Sequence, residues 1–337
     1  MRGDPPVVVL VGPTASGKTA LLDAVFGTGE SRAAYGLPEA EVVSADSMQA
    51  YRLMDIGTAK PDRALLSRLP HSLIDIRDID EQYTTGDFVR LADEACSRIS
   101  AAGRLPVVSG GTGFYARNFI CGMPASPAAD PALRAAVAAD LASKGAAALR
   151  SELAAIDPES AARIHEHDIY RLTRALEISR ATGRPASDFA PGGAPRSGRS
   201  FAVFCLEAPR EELYERIGAR VEAMMEGGLP AEIRAIVAAG YGEGAPGMQA
   251  IGYREFFDPL CGGSPSGEAA DLAAVAEAIK RNTRRYAKRQ MTFFRGLPGV
   301  EMIGGDPAAF AARLREALGL GGDDRAPSIV QGGAPGL

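Results

Sequence analysis

The sequence contains no tryptophan, three histidines and four cysteines, and no apolar run long enough to cross a bilayer. Cys96, Cys121, Cys205 and Cys261 are far apart and form no C-x-x-C pair, so neither a zinc knuckle nor a disulfide framework is indicated and they read as reduced thiols. No other His, Cys or carboxylate recurs at metal spacing around His71 and Asp75, which read as structural. Positive charge is not in excess either: a formal net charge of −5 argues against indiscriminate nucleic-acid binding but says little about a local basic patch. Met1 to Pro6 lead into an apolar strand without a signal-peptide core, so a cytoplasmic location with no membrane partner is expected.

What is present is the composition of a globular protein, with 46% hydrophobic and 23% charged residues. A chain of 337 residues suggests a main α/β domain with a second lobe. Its organising stretch is Val7 to Thr19, VVVLVGPTASGKT, a doubly buried strand feeding a complete G-x-x-x-x-G-K-[ST] phosphate loop. Gly12 and Gly17 let the backbone curl, so the amides of Pro13-flanked Thr14, Ala15 and Ser16 and the following helix N-terminus can point at one anion. Lys18 adds a point charge and Thr19 a hydroxyl suited to Mg²⁺. The motif binds a diphosphate or triphosphate and leaves the substrate open.

Gly27 to Glu39 reads as a loop, and Val42 to Ala45 as a strand ending at Asp46. Strand carboxyl ends form the ligand crevice of a parallel sheet, so Asp46 belongs near the phosphates, either as a helix N-cap or as a catalytic carboxylate. His71 to Ile76 reads as a third strand, followed by a helix capped near Tyr83 to Phe88 and running through Ile99. Leu105 to Ser109 is another strand, entering a second glycine loop, Gly110 to Tyr115, in which Thr112 carries the useful hydroxyl. From Cys121 to Phe189 valine-rich strands give way to alanine-rich helices. Pro191 to Ser200 is a flexible Pro/Gly/Ser segment, and Phe201 to Leu206 returns to the sheet. On the helix from Glu211 to Met225, Arg216 and Arg220 stand four apart, as solvated arginines or as a clamp on the diphosphate. Between Lys280 and Arg295 there are seven basic residues and no acidic one, and Arg281, Arg284, Arg285 and Lys288 form a helical stripe that favours an RNA or DNA backbone.

GPTASGKT at Gly12 to Thr19, SADSMQAYRLMDIGTAKP at Ser44 to Pro61, HSLIDI at His71 to Ile76, SGGTGFY at Ser109 to Tyr115, DIYRLTRALEI at Asp168 to Ile178, QAIGYRE at Gln249 to Glu255 and KRQMTFFR at Lys288 to Arg295 together resemble the tRNA dimethylallyltransferase family. The resemblance implies an α/β fold, a P-loop NTPase-like core with a mostly parallel sheet and a helical insertion domain: core at 1–122 and 199–318, insertion at 123–198 and a disordered tail at 319–337. It implies that the loop holds dimethylallyl diphosphate, with Arg220, and that the prenyl group passes to N6 of an adenine beside the anticodon of tRNAs reading codons that begin with U. Asp46 then corresponds to the general base, Thr112 to the hydroxyl beside the reacting centre, and Lys18 and Mg²⁺ on Thr19 to groups that steady the departing diphosphate. The segments implied to touch the tRNA anticodon stem-loop are Asp46, Ser47, Met48 and Gln49; Arg134; Tyr170, Arg171, Leu172, Thr173 and Arg174; Gln249, Ala250, Ile251, Gly252, Tyr253 and Arg254; with Arg281, Arg285 and Lys288 of the stripe.

The resemblance accordingly implies a target adenine flipped out of its stack. A monomer is expected. The chain departs from the family pattern in the length of Gly27 to Glu39, in Phe293 where tryptophan is usual, and in Ser72 after His71. A small-molecule P-loop kinase, an adenylate isopentenyltransferase and a non-enzymatic RNA-binding module are the competing readings; the first leaves the basic stripe unexplained, and intact Lys18, Thr19, Asp46 and Thr112 oppose the last.

Overall fold

The computed structural model describes residues 6–127, 130–189, 192–264, 266–269, 271–320 and 330–331. The chain divides into two compact units, one formed by 1–120 with 194–337 and the other by Cys121–Gly193.

The larger unit begins β1 (Val7–Val11), α1 (Lys18–Phe26), α2 (Gly29–Tyr35), β2 (Ala40–Ser44), α3 (Arg63–Arg68), β3 (His71–Ser72), α4 (Thr85–Ala101), β4 (Leu105–Gly110) and α5 (Gly113–Cys121). The smaller unit holds α6 (Pro131–Ile156), α7 (Pro158–Arg163) and α8 (Ile169–Thr182). The chain returns through β5 (Ser200–Leu206), α9 (Arg210–Glu226), α10 (Leu229–Ala238), α11 (Leu272–Phe294), β6 (Val300–Ile303), α12 (Pro307–Ala317) and β7 (Val330–Gln331).

The sheet runs β3-β2-β4-β1-β5-β6, all parallel, with β7 antiparallel on β5. Val7–Val11 is buried throughout, as a central parallel strand must be. On one face Val8, Leu10, Val107 and Phe204 pack with Leu22 and Phe26 of α1 and with Phe310 and Leu314 of α12. On the other, Phe119 meets Phe201 edge-on and Phe88 stacks on Tyr115 at 4.5 Å. The crossover order places the carboxyl ends of β1, β2, β4 and β5 side by side, and every candidate catalytic residue lies there.

Three sequence expectations are corrected. Gly27 to Glu39 is not simply a loop: Thr28 accepts a hydrogen bond from the Ser31 amide and starts α2, which Gly36 ends in the left-handed region. The third strand stops at Ser72, because Leu73 and Asp75 take φ of 68° and 56° and turn the chain beneath Gln49 and Ala50. Within the segment expected to be flexible, Arg196 is held by both carboxylate oxygens of Asp93, at 2.6 and 2.5 Å, and lies over the Phe119 ring. The expected disordered tail falls, apart from 319–320 and β7, outside the described residues.

In the smaller unit Val137, Leu149, Leu153, Leu172, Ala175 and Leu176 form a separate core. Asp130-Pro131 and Asp157-Pro158 start α6 and α7, with each aspartate accepting an amide hydrogen bond ahead of a proline at the first helical position. Gly145, at φ 79°, breaks α6 internally.

Candidate active site

The phosphate loop joins β1 to α1 with Gly17 at φ 97° and Ala15 at φ 62°. No side chain caps α1, so its first amides remain available to an anion. Gly12 sits so close to the end of β5 that a Cβ there would lie 2.7 Å from the Leu206 carbonyl oxygen. Lys18 folds back over the loop and donates to the carbonyls of Gly12 at 2.8 Å and Pro13 at 2.9 Å. Burial pulls its pKa down to about 8; Asp46 opposes that shift and Arg220 reinforces it. Arg216 and Arg220 of α9 both reach the loop: Arg220 donates to Thr14 Oγ1 at 3.3 Å, and Arg216 to the Ser16 carbonyl at 3.2 Å while also pairing with Glu212. Both remain exposed on α9 while making these contacts.

Asp46 follows β2 and leads into a turn over 47–50, so the expected helix N-cap is a turn contact instead. Oδ1 accepts from the amides of Met48 at 2.9 Å and Gln49 at 3.4 Å; Oδ2 has no hydrogen-bond partner among the described residues. The second glycine loop is stitched to this turn. The Thr112 amide donates to the Ala45 carbonyl at 3.1 Å, and Thr112 Oγ1 accepts from the Ser47 amide at 3.0 Å and donates to Ser47 Oγ at 3.2 Å. Gly110 has to lack a side chain, since a Cβ would overlap the Ala45 backbone.

A third wall is built from segments distant in sequence. Glu232 of α10 accepts hydrogen bonds from the amides of Asp55, Ile56 and Gly57 at 3.0, 2.7 and 3.2 Å and from the Tyr253 hydroxyl at 2.6 Å. Glu255, buried, holds the Gly252 amide at 2.8 Å and Asn282 of α11 at 2.8 Å. These walls enclose a cavity of about 620 Å³ lined by the loop residues Thr14 and Lys18, by Asp46, Gln49 and Gly111, and by Arg220, Ile251, Tyr286 and Gln290. Burial and the Asp46 charge push the Tyr286 hydroxyl up to about 12, so it stays protonated in the cavity wall.

Of the expected tRNA contacts, Ser47, Met48, Gln49, Ala250, Ile251 and Gly252 line this cavity. Gln249 and Arg254 are exposed beside it in sequence. Arg281, Arg285 and Lys288 are exposed on α11, but Arg284 turns over the Tyr214 ring, so the stripe is narrower than the spacing suggests. In the smaller unit Tyr170 is 76% exposed and Arg171 is exposed beside Asp168. Arg134 and Arg174 both pair with Glu177, and the Thr173 hydroxyl bonds back to the Ile169 carbonyl. Leu172 and Tyr253 are corrected as contacts: both are fully buried and act on their surroundings only by packing or through the Glu232 bond. Gln290, which lines the cavity, and Glu232, which holds the Asp55–Gly57 turn behind it, are residues that sequence reasoning misses. For Gln290 a signal exists, a polar residue on the helical face that also carries Val275, Ala278, Ala287 and Phe294.

Fold and site together define a P-loop α/β protein whose anion cradle and carboxylate face one cavity. The IPP transferase family model matches residues 49–297, and the chain belongs to that family. The tRNA dimethylallyltransferase of Geobacter sulfurreducens is 41% identical over 88% of this chain and 91% of its own length. That of Geobacillus kaustophilus is 42% identical over 92% and 94%. Among solved structures, the full-length tRNA isopentenylpyrophosphate transferase of Bacillus halodurans superposes with a TM-score of 0.62 at 35% identity, covering 94% of this chain and 99% of that one. A eukaryotic dimethylallyltransferase acting on tRNA gives 0.70 at 25% identity, covering 89% and 73%.

Proposed function

We propose that this chain is a tRNA dimethylallyltransferase that moves the dimethylallyl group of dimethylallyl diphosphate to N6 of an adenine beside the anticodon of tRNAs reading codons that begin with U. The observation that carries the reading is the shared cavity: Lys18 and the loop amides on one wall, and the unpartnered Oδ2 of Asp46 on another. The bond from the prenyl C1 to diphosphate oxygen breaks as the bond from C1 to N6 forms. Asp46 takes the amine proton, which offsets the poor nucleophilicity of an exocyclic amine. Thr112, held through Ser47, lies beside the reacting amine. Lys18, the α1 amides and Arg220 stabilise the charge that builds on the diphosphate.

Mg²⁺ fits this site through its substrate. Thr19 opens α1 with an exposed side chain, and no cluster of three His, Cys, Asp or Glu lies together among the described residues, so the ion would be held by the Thr19 hydroxyl, diphosphate oxygens and water. When bound it supplies further neutralisation of the leaving group. The exposed Arg281, Arg285 and Lys288, with Tyr170, Arg171 and Arg134, suit the phosphates and bases of an RNA stem-loop. No helix among the described residues is long and apolar enough to cross a membrane; a cytoplasmic, monomeric enzyme is the reading that goes with tRNA as substrate.

The test is nucleoside mass spectrometry of unmodified tRNA incubated with the protein, Mg²⁺ and dimethylallyl diphosphate. Isopentenyladenosine is expected, and Asp46→Ala should lower its rate of formation by about 10²–10⁴-fold. Absence of product, with ATP consumed in the presence of small metabolites, would point to a kinase instead.

A further inference from the structure

Gln290 is 95% buried on the inner face of α11, and besides its contact with Tyr286 it hydrogen-bonds two different loops of the site. Its Oε1 accepts from the Thr14 amide of the phosphate loop at 3.0 Å, and its Nε2 donates to the Gly111 carbonyl of the second glycine loop at 2.7 Å. One partner is an N–H and the other a C=O, so the amide fits in one orientation only. Gly111 is joined to Thr112, whose amide and hydroxyl tie it to Ala45 and Ser47 on either side of Asp46. A single side chain therefore spans the distance between the diphosphate cradle and the segment that carries the base. Its helix neighbour one turn earlier, Tyr286, reaches the same Gly111 carbonyl at 3.4 Å.

From this we propose that Gln290 is a positioning residue for prenyl transfer, fixing the separation of the leaving group from the proton-accepting carboxylate. The proposal rests on the transfer reaction above. In that reaction C1 travels between a diphosphate oxygen and N6, and a displacement of about 1 Å in such an alignment costs on the order of 10²-fold in rate. Each loop retains its own internal bonds without Gln290, so substrate binding is preserved while alignment is lost.

Two near-isosteric variants separate positioning from mere packing. Gln290→Met keeps the volume and loses both bonds; kcat should fall about 10- to 100-fold with KM for tRNA and for dimethylallyl diphosphate changed by less than about threefold. Gln290→Glu can accept from Thr14 in either protonation state, but only the neutral acid can donate to the Gly111 carbonyl. Its kcat relative to wild type should therefore rise several-fold from pH 8 to pH 6, a pH profile that a packing role would not produce. A Q290M enzyme with wild-type kcat, or a Q290E to wild-type ratio that is flat with pH, overturns the role of Gln290. Should Q290M not fold, the Q290E profile decides by itself. A wild-type protein that yields no isopentenyladenosine would instead sink the transfer reaction, and the proposal with it.

Discussion

With Lys18 holding the diphosphate as proposed, binding is a proton-coupled event whose size follows from the surroundings of that lysine. In the free site, burial holds its pKa at about 8 against an ordinary 10.5. A bound diphosphate places several negative charges beside the ammonium and returns the pKa towards the ordinary range. Binding then takes up whatever proton the free lysine lacks: about 0.1 at pH 7, about 0.5 at pH 8 and about 0.9 at pH 9. The sign is fixed, since the bound state holds more protons than the free state and affinity must fall as pH rises through 8. The loss is about tenfold per pH unit above 8 and is limited by the difference of about 2.5 units, or about 3 kcal/mol. Phosphate groups finish ionising near pH 6 to 7, so the ligand itself contributes little in this window.

Isothermal titration of dimethylallyl diphosphate, without tRNA, in buffers of differing ionisation enthalpy reads the uptake directly. Lys18→Met should bind more weakly and take up no proton at pH 9. Equal proton uptake by wild type and K18M at pH 9, or a wild-type affinity that is flat from pH 8 to 9.5, would refute the argument.

Neutralising Arg281, Arg285 or Lys288 to Gln should weaken tRNA binding and reduce the slope of log K against log salt by about 1 for each RNA phosphate no longer neutralised, leaving dimethylallyl diphosphate affinity unchanged; an unaltered slope would remove α11 from the RNA surface. Glu232→Ala leaves the part-buried Ile56 amide and the Tyr253 hydroxyl without an acceptor, while the Asp55 amide can turn to water and the Gly57 amide keeps the Tyr253 oxygen. At about 1–3 kcal/mol for each of these two orphans, the loss in stability to urea should be roughly 2–6 kcal/mol, and a loss under about 1 kcal/mol would mean the carboxylate does not hold that turn in solution.

Several features are legible in the sequence because they are local. The phosphate loop is a contiguous motif between a β-branched run and good helix formers, and its geometry depends on residues a few positions apart. Asp46 and Thr112 are legible as strand-end residues, since parallel sheets gather their ligand sites at carboxyl ends. The basic stripe is legible as a run without acids, although spacing alone does not show that Arg284 turns inward over Tyr214.

By itself, then, the sequence determined a parallel sheet opening on a phosphate loop, a helical insertion, and the candidacy of Lys18, Asp46 and Thr112 at the strand ends. Only the tertiary structure decided what joins them. Gln290 lies 276 residues from Thr14 and 179 from Gly111, and Glu232 lies 175 from Gly57. Such pairs leave no periodicity to read, because a side chain's partners across the fold are chosen by strand order and helix placement rather than by spacing along the chain. The same holds for the two oxygens of Asp46. Sequence offered a helix N-cap or a catalytic carboxylate, and the fold shows no helix there: Oδ1 accepts from two amides of a turn, and the residue lines the cavity.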